Sequence, residues 1–137
     1  MSFKALPLIV ISFIMYNAIV LLDRGGDATV FLAHKVLPVP LMTGLLWLTW
    51  GDLIILLTMG LLFIELMKAT YTSSASLLDH GLSMLVFVAC LIEFLLVKAA
   101  GTSVFFFIVV ATLIDVMAGY TIGIRVARRD LSIGGEN

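Results

Sequence analysis

The sequence has far too little charge for a soluble domain of its length. Only 12% of its 137 residues are Asp, Glu, Lys or Arg, whereas an ordinary globular domain has about a quarter. Apolar residues make up 62% of the chain, and the mean hydropathy is +1.20. So few polar side chains cannot cover the surface of a 14.9 kDa globule. The composition therefore predicts a single integral membrane domain that spans residues 1–137.

Cysteine and net charge are also scarce. One cysteine excludes an internal disulfide framework and a Cys-rich metal site. A net charge of −1 provides no basic field for nucleic acid. The sequence contains no phosphate-binding glycine loop and no nucleophile–base pair in an aqueous segment. We therefore expect no cofactor, no metal, no nucleic-acid partner and no enzymatic activity.

Long apolar stretches dominate what is present. A bilayer core needs about 20 consecutive, mostly apolar residues in a helix, and such stretches cover residues 5–22, 41–69, 77–97 and 101–124. Runs such as 53–57 and 105–110 lack the alternation typical of barrel strands. Because backbone groups in lipid must pair internally, helices are the remaining structure. The predicted fold class is an all-α membrane protein with four transmembrane helices.

A short amphipathic segment separates the first two spans. Asp27 is suited to cap a helix over residues 28–37, and Pro38 and Pro40 would stop that helix. Ten residues are too few to cross a bilayer, so we expect an interfacial helix. At the other end of the chain, residues 130–137 are predicted to form a polar tail outside the last helix.

The second span leaves two alternatives open. As one helix, residues 41–69 would be about 44 Å long at 1.5 Å per residue, which exceeds the hydrocarbon thickness. Such a helix must either tilt or break, and Gly51 is the expected break because Asp52 can cap a new helix there. Trp47 and Trp50 would then lie in the aromatic belt at the membrane interface.

Basic residues indicate the orientation. Under the positive-inside rule, the side with more Lys and Arg in its loops is cytoplasmic. Five cations fall on one side, namely Lys4, Lys68, Arg125, Arg128 and Arg129, against Arg24, Lys35 and Lys98 on the other. This distribution predicts both termini in the cytoplasm of a bacterial-type inner (plasma) membrane. The arginine cluster after the last span would serve as an interface anchor.

Four carboxylates fall inside the apolar spans, at Asp52, Glu65, Glu93 and Asp115. An acid at the bilayer centre costs at least ~2.5 kcal/mol, so each requires an explanation. Glu65 is three residues before Lys68, which favours an ion pair on one helix face. Asp52 lies close to the tryptophans, where it has a structural explanation as a helix cap. Glu93 lies near the outer end of its span, where a short side chain reaches the interface only partly.

Asp115 lies deepest and shares its helix face with small residues. Small residues allow close helix contact, and this packing face comprises Ala111, Thr112, Ala118, Gly119 and Gly123. Asp115 should therefore point toward another helix rather than toward lipid. Three states are compatible with the sequence: a protonated acid hydrogen-bonded within the bundle, an acid that binds a passing cation or proton, and an acid paired with a cation from another chain.

The histidines do not indicate a haem or metal site. His34 falls in the external connection and His80 at the cytoplasmic beginning of the third span, so one chain cannot place them on the same haem. Asp79 and His80 alone are too few for a metal site.

Two functions remain. The first is association with other membrane helices, as an accessory subunit of a membrane complex or as a homo-oligomer in the lipid bilayer. The second is proton or cation translocation through Asp52, Glu65, Glu93 and Asp115.

Overall fold

The computed structural model describes residues 6–23, 26–71 and 77–135. The chain is mostly helical, with one β-hairpin between the second and third helices. The elements in order are α1 Val10–Leu22, α2 Ala28–Leu32, β1 Lys35–Leu41, β2 Gly44–Thr49, α3 Trp50–Tyr71, α4 Leu77–Leu96, a 3-10 turn Lys98–Ala100, and α5 Ser103–Gly134.

Among the helices of the described ranges, α3 and α5 are long and apolar enough to cross a membrane. The apolar helices Val10–Leu22 and His80–Leu96 are shorter. The structure thus supports a membrane location through α3 and α5, while crossing by α1 and α4 stays a prediction.

The interfacial helix predicted over residues 28–37 ends at Leu32 instead. Asp27 caps its beginning as expected, accepting a hydrogen bond from the Thr29 amide at 2.9 Å. The chain then enters the hairpin, in which β1 pairs with β2 antiparallel. The all-α prediction is therefore wrong for residues 35–49. Pro38 and Pro40 do not stop a helix but lie within β1, where an edge strand tolerates them.

The second predicted span is wrong in its first part. Residues 44–49 form β2, and α3 begins only at Trp50. An apolar run does not by itself distinguish a helix from a strand, particularly when both faces of the strand are apolar. The hairpin reverses over two residues, and Gly44 follows with φ +139°, a conformation that favours glycine. The break expected near Gly51 is therefore a strand-to-helix junction rather than an interruption within one helix.

The last helix is longer than predicted. It continues through Gly134, so residues 130–134 of the expected polar tail are helical, and Arg125, Arg128 and Arg129 lie within α5. Residues 136–137 of that tail lie outside the described ranges. Arg, Ala and Leu are good helix formers, and residues 124–133 contain neither Gly nor Pro. The apolar stretch ends near Ile124, but the helix continues.

Several predictions concern residues outside the described ranges. These are Lys4 and Arg24 in the orientation argument and the first residue of the 5–22 span.

Helix α5 lies at the centre of the packing. Its principal contacts are with α3 and α4, and α1 contacts both α3 and α5. Phe105 is fully buried near the beginning of α5, and rings from two other helices pack on it. The centroid distances are 4.8 Å to Tyr16, 6.3 Å to Phe13 and 6.4 Å to Phe94. These contacts fix where the polar residues of the helices meet.

Candidate functional site

Asp115 is buried within the bundle, with only 5% of its surface exposed. Ala111 and Thr112, one turn earlier on α5, are buried as well. Ala118 and Gly119, one turn later, are half-buried. The small-residue face predicted around Asp115 thus packs inside the chain. It allows α5 to lie close to its neighbours.

Three polar side chains from two other helices lie near Asp115. The Ser83 hydroxyl of α4 is within hydrogen-bonding reach of the carboxyl group. Glu65 and Lys68 of α3 are close enough for their charges to act on it. One carboxyl oxygen, Oδ2, is buried without a hydrogen-bond partner among the described residues. We call Asp115, Glu65, Lys68 and Ser83 the inner polar cluster.

Glu65 connects this cluster to the first helix. Its Oε1 lies 2.8 Å from the Lys68 Nζ, in the ion pair that the i, i+3 spacing predicts. Its Oε2 accepts a hydrogen bond from the Leu8 amide at 3.0 Å. The Lys68 Nζ also donates to the Leu6 carbonyl at 3.4 Å. A carboxylate on α3 therefore pairs the amide of Leu8, which lies in the turn just before α1.

Ser12 adds a second buried polar atom without a partner. It is completely buried, and its Oγ makes no hydrogen bond within the described part of the chain. Ser12 lies one turn after Leu8 and one turn before Tyr16, so it follows the α1 face that packs into the bundle. No sequence signal distinguishes this serine from one that faces lipid.

Tyr16 links α1 to the turn between α4 and α5. Its hydroxyl donates to the Ala99 carbonyl at 2.7 Å and lies 2.7 Å from the Thr102 Oγ1. Because the single tyrosine proton goes to the carbonyl, the Thr102 hydroxyl is the donor in the second bond. Thr102 also caps α5, accepting a bond from the Phe105 amide at 3.2 Å.

Glu93 lies beside this link rather than in the inner polar cluster. It is half-buried on α4, and the Asn17 side chain of α1 is within hydrogen-bonding reach of it. Its charge acts on Tyr16 and on the buried Cys90. Glu93, Asn17, Tyr16 and Thr102 form an outer polar cluster at the opposite end of the bundle.

Asp52 belongs to neither cluster and caps α3. Its Oδ2 accepts bonds from the Thr49 amide at 2.8 Å and the Thr49 hydroxyl at 2.9 Å. In return the Asp52 amide donates to the Thr49 Oγ1 at 3.2 Å. This reciprocal arrangement is a capping box. Thr49 is thus the N-cap residue, and Asp52 completes the box from inside the first turn of α3, not as the cap of a helix that begins after it. The Thr-x-x-Asp pattern was the available signal.

Two glycines mark close helix contacts. A Cβ at Gly51 would lie 2.8 Å from the Val104 Cγ2 of α5, so no side chain fits there. A Cβ at Gly119 would meet the His80 ring at 3.7 Å, and that ring stacks on Tyr120 at 4.5 Å. Gly123 is half-buried one turn later. The contact at Gly51 was not predicted because its role depends on where α5 lies.

The expected interface anchors lie around the beginning of α3 and near the end of α5. Trp47 lies on β2, and the Lys35 Nζ is 5.7 Å from its ring centroid. Trp50 begins α3 and stacks on Phe31 at 6.3 Å. Both tryptophans are partly exposed. The arginine anchors, which are fully on the surface of α5, are Arg125, Arg128 and Arg129.

Within the described ranges, no three His, Cys, Asp or Glu side chains come together as a metal site. His34 lies after α2, where its Nδ1 is 3.1 Å from the Phe31 carbonyl, while His80 lies on α4 against Tyr120.

Comparison of the chain with protein-family models, with curated proteins and with solved structures finds no match. The function must therefore be inferred from the two polar clusters, the helix surfaces and the hairpin.

Proposed function

We propose that this chain is a multi-pass protein of a bacterial-type inner membrane that acts by association, as an accessory subunit or as a homo-oligomer. In this proposal α1, α3, α4 and α5 all cross the bilayer, with both termini in the cytoplasm. One observation carries it: the bundle buries several polar groups, while many of its large apolar side chains are exposed on its surface.

The inward groups come from several helices. Asp115, Glu65, Thr58, Thr112 and Ser12 are all buried. A water-soluble bundle shows the reverse pattern, because charged residues are almost never fully buried in it. Lipid cannot form hydrogen bonds with exposed polar groups as water does. In a membrane protein these groups therefore face the protein interior.

The outward groups are large and occur on every long helix. Apolar side chains with at least two fifths of their surface exposed include Ile14 and Met15 on α1, Leu56 and Phe63 on α3, Leu85 and Leu95 on α4, and Phe107 and Met117 on α5. This surface extends over α1 and α4 as well as over the two longer helices, which supports a lipid environment around all of them.

The charged ends support the proposed orientation. Lys68 lies toward the end of α3, and the arginine cluster Arg125–Arg129 lies toward the end of α5. Lys35 and Lys98 lie at the opposite end, near the hairpin and the 3-10 turn. The end of the bundle that holds Lys68 and the three arginines carries more cations than the hairpin end. The positive-inside rule therefore favours a cytoplasmic location for the arginine end.

Association is favoured over an enzymatic reaction because the side chains of the polar clusters form hydrogen bonds that hold the helices together. Glu65 binds the beginning of α1, and Tyr16 binds the turn before α5. The small-residue face around Gly119 also packs within the chain, against His80. Contacts with partners must therefore use the outer apolar surfaces or the hairpin.

The experiment is native mass spectrometry of the protein released from membranes in mild detergent. The proposal predicts a defined oligomer or a complex with other membrane chains. A monomer that carries only lipid, at every detergent concentration that preserves its helicity, would contradict association.

A second function, proton or cation translocation, is favoured by the buried Oδ2 of Asp115, which has no hydrogen-bond partner among the described residues. Such an atom is free to accept a proton or to bind a cation. In proteoliposomes Asp115→Asn should abolish ion flux, whereas Asp52→Asn, which alters only the α3 cap, should leave flux intact. Equal flux in wild type and Asp115→Asn would exclude this function.

A further inference from the structure

The outer edge of β2 in the hairpin has both N–H and C=O groups left unpaired. Pro38 lies opposite Trp47 in the register, and Pro40 lies opposite Leu45. Antiparallel pairs alternate between those that exchange two hydrogen bonds and those that exchange none. Because proline has no N–H, these two pairs must be of the second kind. The backbone N–H and C=O groups of Leu45 and Trp47 therefore point away from β1.

The two outer edges of the hairpin are not equivalent. On β1 the outward-facing positions are Pro38 and Pro40, so that edge lacks donors and cannot accept a further strand in register. On β2 the corresponding positions are Leu45 and Trp47. Their amides have no other hydrogen-bond partner in the part of the chain that the structure describes. Only β2 offers an edge with both donors and acceptors.

The surroundings of this edge make unpaired groups costly. Leu37 and Leu46 on one face of the hairpin are each 47% exposed, and Leu45 on the other face is 62% exposed. Two exposed apolar faces exclude water from the edge once they meet lipid or protein. An unpaired backbone amide then loses the hydrogen bonds that water would provide.

We propose that β2 pairs with β2 of a second copy of this chain. An antiparallel pair centred on Leu46 brings Leu45 opposite the partner's Trp47 and Trp47 opposite the partner's Leu45. Both pairs are then of the doubly bonded kind, so all four outward amides find a carbonyl. The same surface serves both copies, as a two-fold axis requires.

The proline edge decides the size of the assembly. After β2 pairs with β2, both remaining edges of the four-stranded sheet are β1 strands without the necessary donors. The sheet therefore stops at two copies and does not grow into a fibre. This inference rests on the proposed association function and names its partner as a second copy.

Disulfide trapping tests the pairing directly. In a Cys90→Ala background, Leu46→Cys places one thiol at the two-fold axis, where the paired Cα atoms of such a site are about 4.5 Å apart. That separation permits a disulfide. Leu37→Cys is the matched control, because Leu37 has the same exposure but lies on β1. In membranes, mild oxidation should yield covalent dimers of Leu46→Cys and not of Leu37→Cys.

A proline substitution tests the hydrogen bonds. Leu45→Pro removes an edge donor that the β1–β2 ladder does not use, whereas Leu45→Ala keeps that donor. The proline variant should lose the native dimer while the alanine variant retains it, with the far-ultraviolet spectrum of each unchanged. A dimer equally abundant in both variants would overturn the proposal.

The remaining outcomes separate this proposal from the proposed function. Equal cross-linking of Leu37→Cys and Leu46→Cys overturns β2 pairing and leaves association intact. The same conclusion follows if neither variant cross-links while native mass spectrometry still shows an assembly. A chain that is monomeric in that measurement and forms no cross-link overturns both.

Discussion

The Glu65 carboxylate on α3 accepts a hydrogen bond from the Leu8 amide in the turn just before α1, with the two atoms 3.0 Å apart. The residues are 57 positions apart in the chain, so the bond joins the turn before the first helix to the third helix. A carboxylate near a helix beginning also interacts favourably with the helix dipole. Lys68 balances the charge on the other oxygen at 2.8 Å.

Loss of this cap should destabilise the fold. Glu65→Leu removes both bonds and leaves the Leu8 amide without its acceptor, for which we expect about 1–3 kcal/mol lower free energy of unfolding. Glu65→Gln keeps a carbonyl acceptor and should lose less. Titration with SDS in mixed micelles, followed by circular dichroism, measures both. A Leu variant as stable as the wild type would show that the bond contributes nothing.

The contact between α3 and α5 depends on the absence of a side chain at Gly51. A Cβ there would lie 2.8 Å from the Val104 Cγ2, so Gly51→Ala should destabilise the protein, by about 1–3 kcal/mol. Gly60→Ala on the same helix is the control, since no atom lies within 4 Å of its Cβ position. It should be neutral or stabilising by up to about 1 kcal/mol.

Relief of the clash gives an independent check on Gly51. Val104→Ala combined with Gly51→Ala should recover part of the lost stability, because the two side chains compete for the same space. If the losses of unfolding free energy are additive in the double variant, the Gly51→Ala loss does not come from a clash with Val104.

Tyr16→Phe should loosen α1 from the turn between α4 and α5. The change removes the bond to the Ala99 carbonyl and the bond from Thr102, but it keeps the ring on Phe105. We expect a loss of about 1–2 kcal/mol in unfolding free energy. Amide hydrogen exchange should rise at the beginning of α5. Tyr120→Phe is the control, because the ring of Tyr120 stacks on His80 at a different site.

The capping box predicts coupling between Thr49 and Asp52. Thr49→Val and Asp52→Ala should each cost about 0.5–2 kcal/mol, because either change removes the reciprocal bonds at the beginning of α3. The double variant should then cost less than the sum of the single variants. Full additivity in the unfolding free energies would mean that the two side chains act separately.

Part of this architecture follows from local sequence alone. The apolar character of α3 and α5 is evident from composition, and the Glu65–Lys68 pair follows from i, i+3 spacing. The burial of Asp115 follows the same logic, since small residues one turn away indicate a helix contact. These features depend on residues within one or two helix turns.

The remaining features depend on tertiary contacts that local sequence does not encode. Pro38 and Pro40 stop a helix and also suit an edge strand, and only the pairing with β2 distinguishes these roles. The bond between Glu65 and Leu8 and the contact between Gly51 and Val104 require the positions of separate helices. The extension of α5 beyond Ile124 was missed because a loss of hydropathy was equated with a helix end.

The most direct test of the central claim is topology mapping of single cysteines in a Cys90→Ala background. Leu6→Cys, Thr43→Cys and Ser132→Cys replace exposed residues before α1, in the hairpin turn and near the end of α5. In intact spheroplasts, a membrane-impermeant maleimide should label Thr43→Cys alone, and it should label the other two only after permeabilisation. Labelling of Thr43→Cys and Ser132→Cys from the same side would contradict the crossing by α4 and with it the four-helix account.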